Sequence, residues 1–217
     1  MEILTTLRKI RVFLDLKRIS LFWVFFLGFL GMVWAQENLE QAFQKSYSLE
    51  NSGDFSGAIK ALQAQYQADS YEINLRLGWL QYQAGQLAES IESYQKAVRL
   101  KPYAIEPKMG LVLPLSVQGM WAEVEETYLK ILQIDPQNSL VNYRLGLIYY
   151  NRGNFDKADP YLEKVVNLYP FDYDGLLLLA WNKLQLQKSR EAKVLFQKVL
   201  LNNPGDASAK EGLALLK

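Results

Sequence analysis

The sequence predicts an all-α array of stacked helix pairs, and three regularities carry that prediction. Four prolines stand 34 residues apart, at Pro102, Pro136, Pro170 and Pro204, and glycines keep the same interval at Gly85, Gly119 and Gly153. Leu77, Leu111, Leu145 and Leu179 recur in step with them. Apolar residues inside each period follow helical spacing, as in Leu140, Tyr143, Leu147 and Tyr150. A fixed period of this length marks a tandem of helix-turn-helix units, none of which can bury its apolar side alone.

The punctuation explains each unit. Glycine closes the first helix, because the position after a helix end favours a left-handed backbone. Proline closes the second, because the residue before it is pushed out of the α region. Large apolar residues at Tyr94, Tyr128, Leu162 and Phe196, and small or branched ones at Ala97, Ile131, Val165 and Val199, keep the same interval. Trp121, Phe55 and Phe155 precede second helices, where an aromatic is expected to staple the pair. Pro114 falls inside a first helix, with Gly110 four residues earlier to ease a kink. Pro160 is placed in the opening turn after Asp156, where a missing donor matters little.

Residues 1–35 read as a targeting segment. Arg8, Lys9, Arg11, Lys17 and Arg18 make its start basic, Leu21 to Val33 is uncharged and apolar, and Val33-Trp34-Ala35 fits cleavage after Ala35. Basic, apolar, small is the order of a secretory signal peptide. The alternative is an uncleaved anchor at residues 19–35, a stretch close to the lower limit for a spanning helix. In both readings the array lies outside the cytoplasmic membrane, in a periplasmic setting, anchored to the inner membrane in the second. No cysteine follows the apolar run, which excludes a lipid-modified N-terminus, and no N-x-Ser/Thr acceptor occurs.

The units after residue 36 resemble the tetratricopeptide repeat family. The unit at 71–104 supplies Leu77, Gly78, Tyr94, Ala97 and Pro102, and that at 105–138 supplies Leu111, Tyr128, Ile131 and Pro136. The unit at 139–172 has Leu145, Gly146, Tyr149, Ala158, Leu162 and Pro170. The unit at 173–206 has Leu179, Ala180, Ala192, Phe196 and Pro204, with Gln187 where the turn glycine is expected. A weaker unit at about 39–70 keeps Ala42, Ser46, Gly53, Phe55, Ala58 and Leu62, lacks the proline and carries Lys45 at a usual core position. Residues 207–217 look like a solitary closing helix. The resemblance implies a right-handed α-solenoid of about five helix pairs over 36–217. It also implies apolar or small residues at repeat positions 4, 7, 8, 11, 20, 24 and 27.

Histidine and cysteine are absent. That removes Ser-His and Cys-His nucleophile pairs and imidazole or thiolate metal sites, so no catalytic residue, metal or cofactor is expected. The lone Ser-x-x-Lys string, Ser93 to Lys96, reads as a surface pair on a second helix. Without residues 1–35 the chain holds 19 basic and 21 acidic side chains, a net of −2 that gives no claim on nucleic acid.

A binding role has parts. The family resemblance implies that first helices line a concave groove through repeat positions 2, 5, 9 and 12. Those positions are Phe43 and Tyr47; Leu75, Trp79 and Tyr82; Met109 and Leu113; Leu140, Tyr143, Leu147 and Tyr150; and Leu177, Trp181 and Leu184. Glu40, Glu50, Glu72, Glu106 and Asp174 add acid along that face, and Arg76 and Arg144 are expected to pair with surface acids. The carboxylate-holding groove of cytosolic chaperone-binding members is not expected here, because its basic positions are apolar. The expected function is a non-enzymatic scaffold or assembly factor for a protein or peptide client. A self-associating array, through apolar Leu213, Leu215 and Leu216, and an apolar-ligand carrier are the alternatives. Membrane contact is expected only through residues 1–35, if retained.

Overall fold

The computed structural model describes residues 38–216, so residues 1–35 and the targeting they are expected to direct lie outside the described residues. Every regular element among the described residues is an α-helix. None of them is long and apolar enough to cross a membrane. The chain divides between Ser93 and Tyr94 into two compact units.

The first unit holds α1 (residues 38–51), α2 (Phe55–Gln63), α3 (Tyr71–Gln83) and the start of α4 (Leu87–Leu100). Its core joins Ala58, Ile59 and Leu62 of α2 to Ile73, Leu77 and Leu80 of α3, with Leu39, Phe43, Leu49, Phe55 and Trp79 packed around them. Lys45 is exposed, while Ala42 and Ser46 turn inward, so the first helix does not use the expected core position at all. Ser93 corrects another expectation. It is buried, not on an outer face, and its hydroxyl lies 2.7 Å from the Gln81 amide, while Ser90 donates to the Gly78 carbonyl at 2.6 Å. Both contacts fasten α4 to α3.

The second unit continues α4 and adds α5 (Glu106–Val117), α6 (Trp121–Ile134), α7 (Ser139–Asn151), α8 (Phe155–Leu168), α9 (Tyr173–Gln185), α10 (Ser189–Asn202) and α11 (Ala207–Leu215). Leu111, Leu115, Val124, Tyr128, Ile131, Leu145, Leu162, Leu176, Leu179, Phe196 and Val199 form its buried interior. Pairs alternate through both units and α11 follows alone, the all-α helix-pair fold of the α-solenoid class.

The punctuation works as the residues require. Gly85, Gly119 and Gly153 have φ of 74°, 71° and 72°. Gln187, at the same place in its unit, is forced to φ 59°. A side chain there meets the backbone at a cost of about 1–2 kcal/mol, against the extra chain entropy of glycine. Gln187→Gly is therefore expected to stabilise the protein by about 0.5–1 kcal/mol, read as a higher urea midpoint with unchanged m-value. Before the prolines, Asp135, Tyr169 and Asn203 leave the helix at φ −131°, −128° and −135°.

The starts of the first helices follow a rule the periodic apolar pattern does not contain. Ser70, Asn138, Asp172 and Asp206 each accept the amide three residues on, at 3.3, 3.1, 2.7 and 2.7 Å. Repeat position 4 is then polar in three units, contrary to the family expectation. Asn74 donates to the Ala68 and Ser70 carbonyls, and Asn142 to those of Pro136 and Asn138. α5 has no side-chain cap, and buried Lys108 takes the place of asparagine, donating to the Pro102 and Ala104 carbonyls at 2.5 and 2.8 Å.

Three local readings change. A Cβ on Gly110 would stand 2.2 Å from Tyr94 Cε1, so the close approach of a buried ring, beyond any relief of Pro114, requires glycine there. Gly212 stands in the same relation to Phe196, at 2.2 Å from Cζ. Pro160 lies past the first turn of α8, inside the helix and exposed. Phe155 does meet Tyr150 edge-on at 5.4 Å, but Trp121 is half exposed and staples less than expected.

Candidate partner-binding faces

The first helices place every predicted groove residue outside the buried core. In the first unit α1 carries Phe43 and Tyr47, and α3 carries Leu75, Trp79 and Tyr82. Tyr47 is 50% exposed and the others are half-buried. Phe43 and Tyr47 sit 6.5 Å apart, and Trp79 and Tyr82 6.1 Å apart. Arg76 lies 3.9 Å over the Tyr47 ring and pairs with Glu50, whose other oxygen accepts the Trp79 indole N–H at 2.6 Å. The Arg76 hydrogen bond, opposed by burial and seconded by Trp79, holds the Glu50 carboxyl below its ordinary value. Glu50 is thus consumed inside the unit and adds no free acid to the face. Arg76 pairs with an acid as expected, but that acid, Glu50, is only 20% exposed and not on the open surface.

In the second unit Met109 and Leu113 stand on α5, Tyr143, Leu147 and Tyr150 on α7, and Leu177, Trp181 and Leu184 on α9, all half-buried. Leu140 is 49% exposed. The Trp181 indole donates to Ser208 Oγ at 2.8 Å and meets Phe196 edge-on at 5.2 Å. Each tryptophan therefore fastens one first helix to another, α3 to α1 and α9 to α11, while keeping part of its ring open.

A cleft of about 370 Å³ opens where the heads of α7 and α9 face each other. Leu140, Tyr143 and Arg144 line it from α7, Val165 and Tyr169 from the end of α8, and Asp172 and Asp174 from the start of α9. Arg144 is exposed and joins no ion pair among the described residues, unlike the pairing expected of it. Burial and the Asp174 charge, with Asp172 behind it and Arg144 opposing, raise the Tyr143 phenol above its ordinary value. Tyr169 and Asp172 were not among the residues singled out from sequence. Asp172 could have been found, since Asn138, Asp172 and Asp206 repeat at the same 34-residue interval.

Repeat position 11 also departs from the family pattern in two units, with Gln81 and Lys183, while Tyr149 keeps it. Tyr149 donates to Glu125 at 2.6 Å, and Arg152 pairs with the other Glu125 oxygen. Lys183 is buried among three carboxylates, at 2.8 Å from Asp159, 2.5 Å from Glu163 and 3.0 Å from Glu191, and Lys188 and Asn182 also reach Asp159. Burial pushes the Asp159 carboxyl up, but the two lysines outweigh it and hold it below its ordinary value. Burial likewise disfavours the Lys183 ammonium, and its three carboxylates outweigh that and raise its pKa. This network ties α8, α9 and α10 together.

Comparison with known proteins agrees with this architecture. Family models described as tetratricopeptide repeat match residues 43–105, 139–172 and 174–206. Protein O-mannosyl-transferase TMTC1 of Homo sapiens is 34% identical over 57% of this chain, which spans 14% of that protein. Photosystem I assembly protein Ycf3 of Prochlorococcus marinus is 26% identical over 54% of this chain and 78% of its own length. Among solved structures, a tetratricopeptide repeat protein from Parabacteroides merdae superposes with TM-score 0.70 at 22% identity, covering 83% of this chain and 72% of that one. MamA gives 0.67 at 23%, covering 78% and 93%. YrrB, a tetratricopeptide repeat protein with an unusual peptide-binding site, gives 0.63 at 22%, covering 75% and 81%. At these identities the structures speak to the fold, and with the matched repeats they leave one assignment: the chain belongs to the tetratricopeptide repeat family.

Proposed function

We propose that this protein is a non-enzymatic scaffold or assembly factor that holds an extended segment of a client protein on the open faces of its first helices. The observation that carries this reading is that the first helices of each unit bear part-exposed aromatic and apolar side chains, with Tyr47 in one unit and Leu140 in the other about half open. Apolar area left in water on a periodic face is stabilised by a partner that covers it. Two of the similar proteins carry names of the same kind, an assembly protein and a peptide-binding repeat protein. The transferase name belongs to a protein of which this chain spans a small part, and nothing of that activity is carried over. We place the repeats outside the cytoplasmic membrane, on the strength of the basic-apolar-small order of residues 1–35.

Photo-crosslinking residues at 47 and 140, with one at 194 as control, test the reading in the organism that makes the protein. Val194 is as exposed as Tyr47 but stands on α10, a second helix. A common adduct from 47 and 140 and none from 194 is expected. Equal adducts at all three would remove the face assignment. The mass of the recovered protein shows whether it starts at Gln36. A further probe at Leu215, which is 64% exposed, reads the second arrangement: adducts at twice the chain mass there would favour self-association through the α11 end.

A further inference from the structure

The cleft between the heads of α7 and α9 carries chemistry that narrows the partner. We propose that it takes a client segment in which a lysine or arginine side chain stands next to an apolar one, a specificity that rests on the scaffold reading above. The apolar part of the segment has a place against Leu140, Tyr143, Val165 and Tyr169. The cation has a place at Asp172 and Asp174. Asp174 is exposed and engages no hydrogen bond or ion pair among the described residues. Asp172 commits Oδ2 to the Gly175 amide at 2.7 Å and keeps Oδ1 for a donor.

The charge balance decides the sign. Two carboxylates and one guanidinium line the cleft, and Arg144 forms no ion pair with either carboxylate. The cleft therefore presents net negative charge beside an apolar wall. An acidic segment would meet two like charges there, and an uncharged one would leave the carboxylates unmatched. A basic side chain matches them, and the adjacent apolar side chain covers the half-exposed Leu140.

Three fluorescein-labelled peptides of alternating leucine and a second residue, which is lysine, glutamine or glutamate, test this against the full chain by fluorescence anisotropy. The lysine peptide is expected to bind tightest and to weaken as salt rises. Asp174→Asn should weaken it about three- to fivefold, the range of one exposed ion pair, and Arg144→Gln should tighten it by removing a like charge. Leu140→Ser should weaken all three peptides alike. Equal or tighter binding of the glutamate peptide, or indifference to Asp174→Asn, overturns the cation preference and leaves the scaffold reading standing. Failure of all three peptides to bind, or indifference of all three to Leu140→Ser, overturns peptide holding at this cleft altogether.

Discussion

Lys183→Met should cost about 3 kcal/mol of stability, because it leaves Asp159 buried with much of its compensation removed. In a chain of this length that is a fall in Tm of roughly 6–12 °C. The side chains of Lys183 and Asp159 are 3% and 11% exposed, whereas Glu163 and Glu191 are about half in water. The loss therefore belongs to the Lys183–Asp159 pair, and Glu163→Gln or Glu191→Gln should cost less than about 1 kcal/mol each. Asp159 titrates lower in the folded protein than in the unfolded chain. Its contribution is complete above the ordinary carboxylate range and disappears as pH falls through the lowered value. Lys183 titrates higher when folded, so its contribution is complete below the ordinary lysine range and is lost as pH rises through the raised value. The difference between variant and parent should be level across neutral pH and shrink in strong acid, as urea melts at pH 7 and pH 3 would record. A variant as stable as the parent at pH 7 would show that the pair is dispensable.

Trp181→Ala should be the other large effect, about 2–3 kcal/mol, below the range for a wholly buried tryptophan because this residue keeps part of its surface in water. It removes the edge contact with Phe196, which ties α9 to α10, and the hydrogen bond to Ser208, which fastens α9 to α11. Trp181→Phe keeps the bulk and loses the indole N–H, at a cost of about 1 kcal/mol. Hydrogen exchange should show the difference locally: amides of α11 lose protection in the alanine variant, while those of α7 keep theirs. Uniform loss across both helices would mean that the ring supports the whole unit and does not fasten the last helix. Because of this fastening, an alanine scan of the tryptophans mixes folding with binding. Tyr47 and Leu140, open and with no hydrogen-bonded side chain among the described residues, separate the two.

The helix pairs were legible because proline, glycine and leucine at a constant interval report backbone geometry and burial directly. Turn glycines and pre-proline residues fell where their dihedral preferences put them. Burial of polar groups was not legible in the same way. Lys108 and Lys183 look like surface residues in a row of letters, and only the carbonyls and carboxylates brought to them by neighbouring helices make their burial affordable. Ser93 turns inward on the same principle, since its partner Gln81 stands on the preceding helix. The first helices' outward positions are those the family resemblance implies, but the use of both indole N–H groups and of Glu50 inside the protein depends on cross-helix geometry. The cap rule at Asn138, Asp172 and Asp206 was present in the sequence and needed only the same interval to be applied to polar residues.

The glycine beneath Tyr94 limits how such an array can be edited. Excision of residues 105–172 removes two whole periods and keeps the repeat in register, yet it would bring Leu178 to the place that Gly110 holds. The tyrosine ring would then face a branched side chain where there is no space for even a methyl group. Repeats that look like interchangeable parts are in this respect fitted to their successors, and lengthening or shortening the chain by duplication demands a matching change in the neighbour.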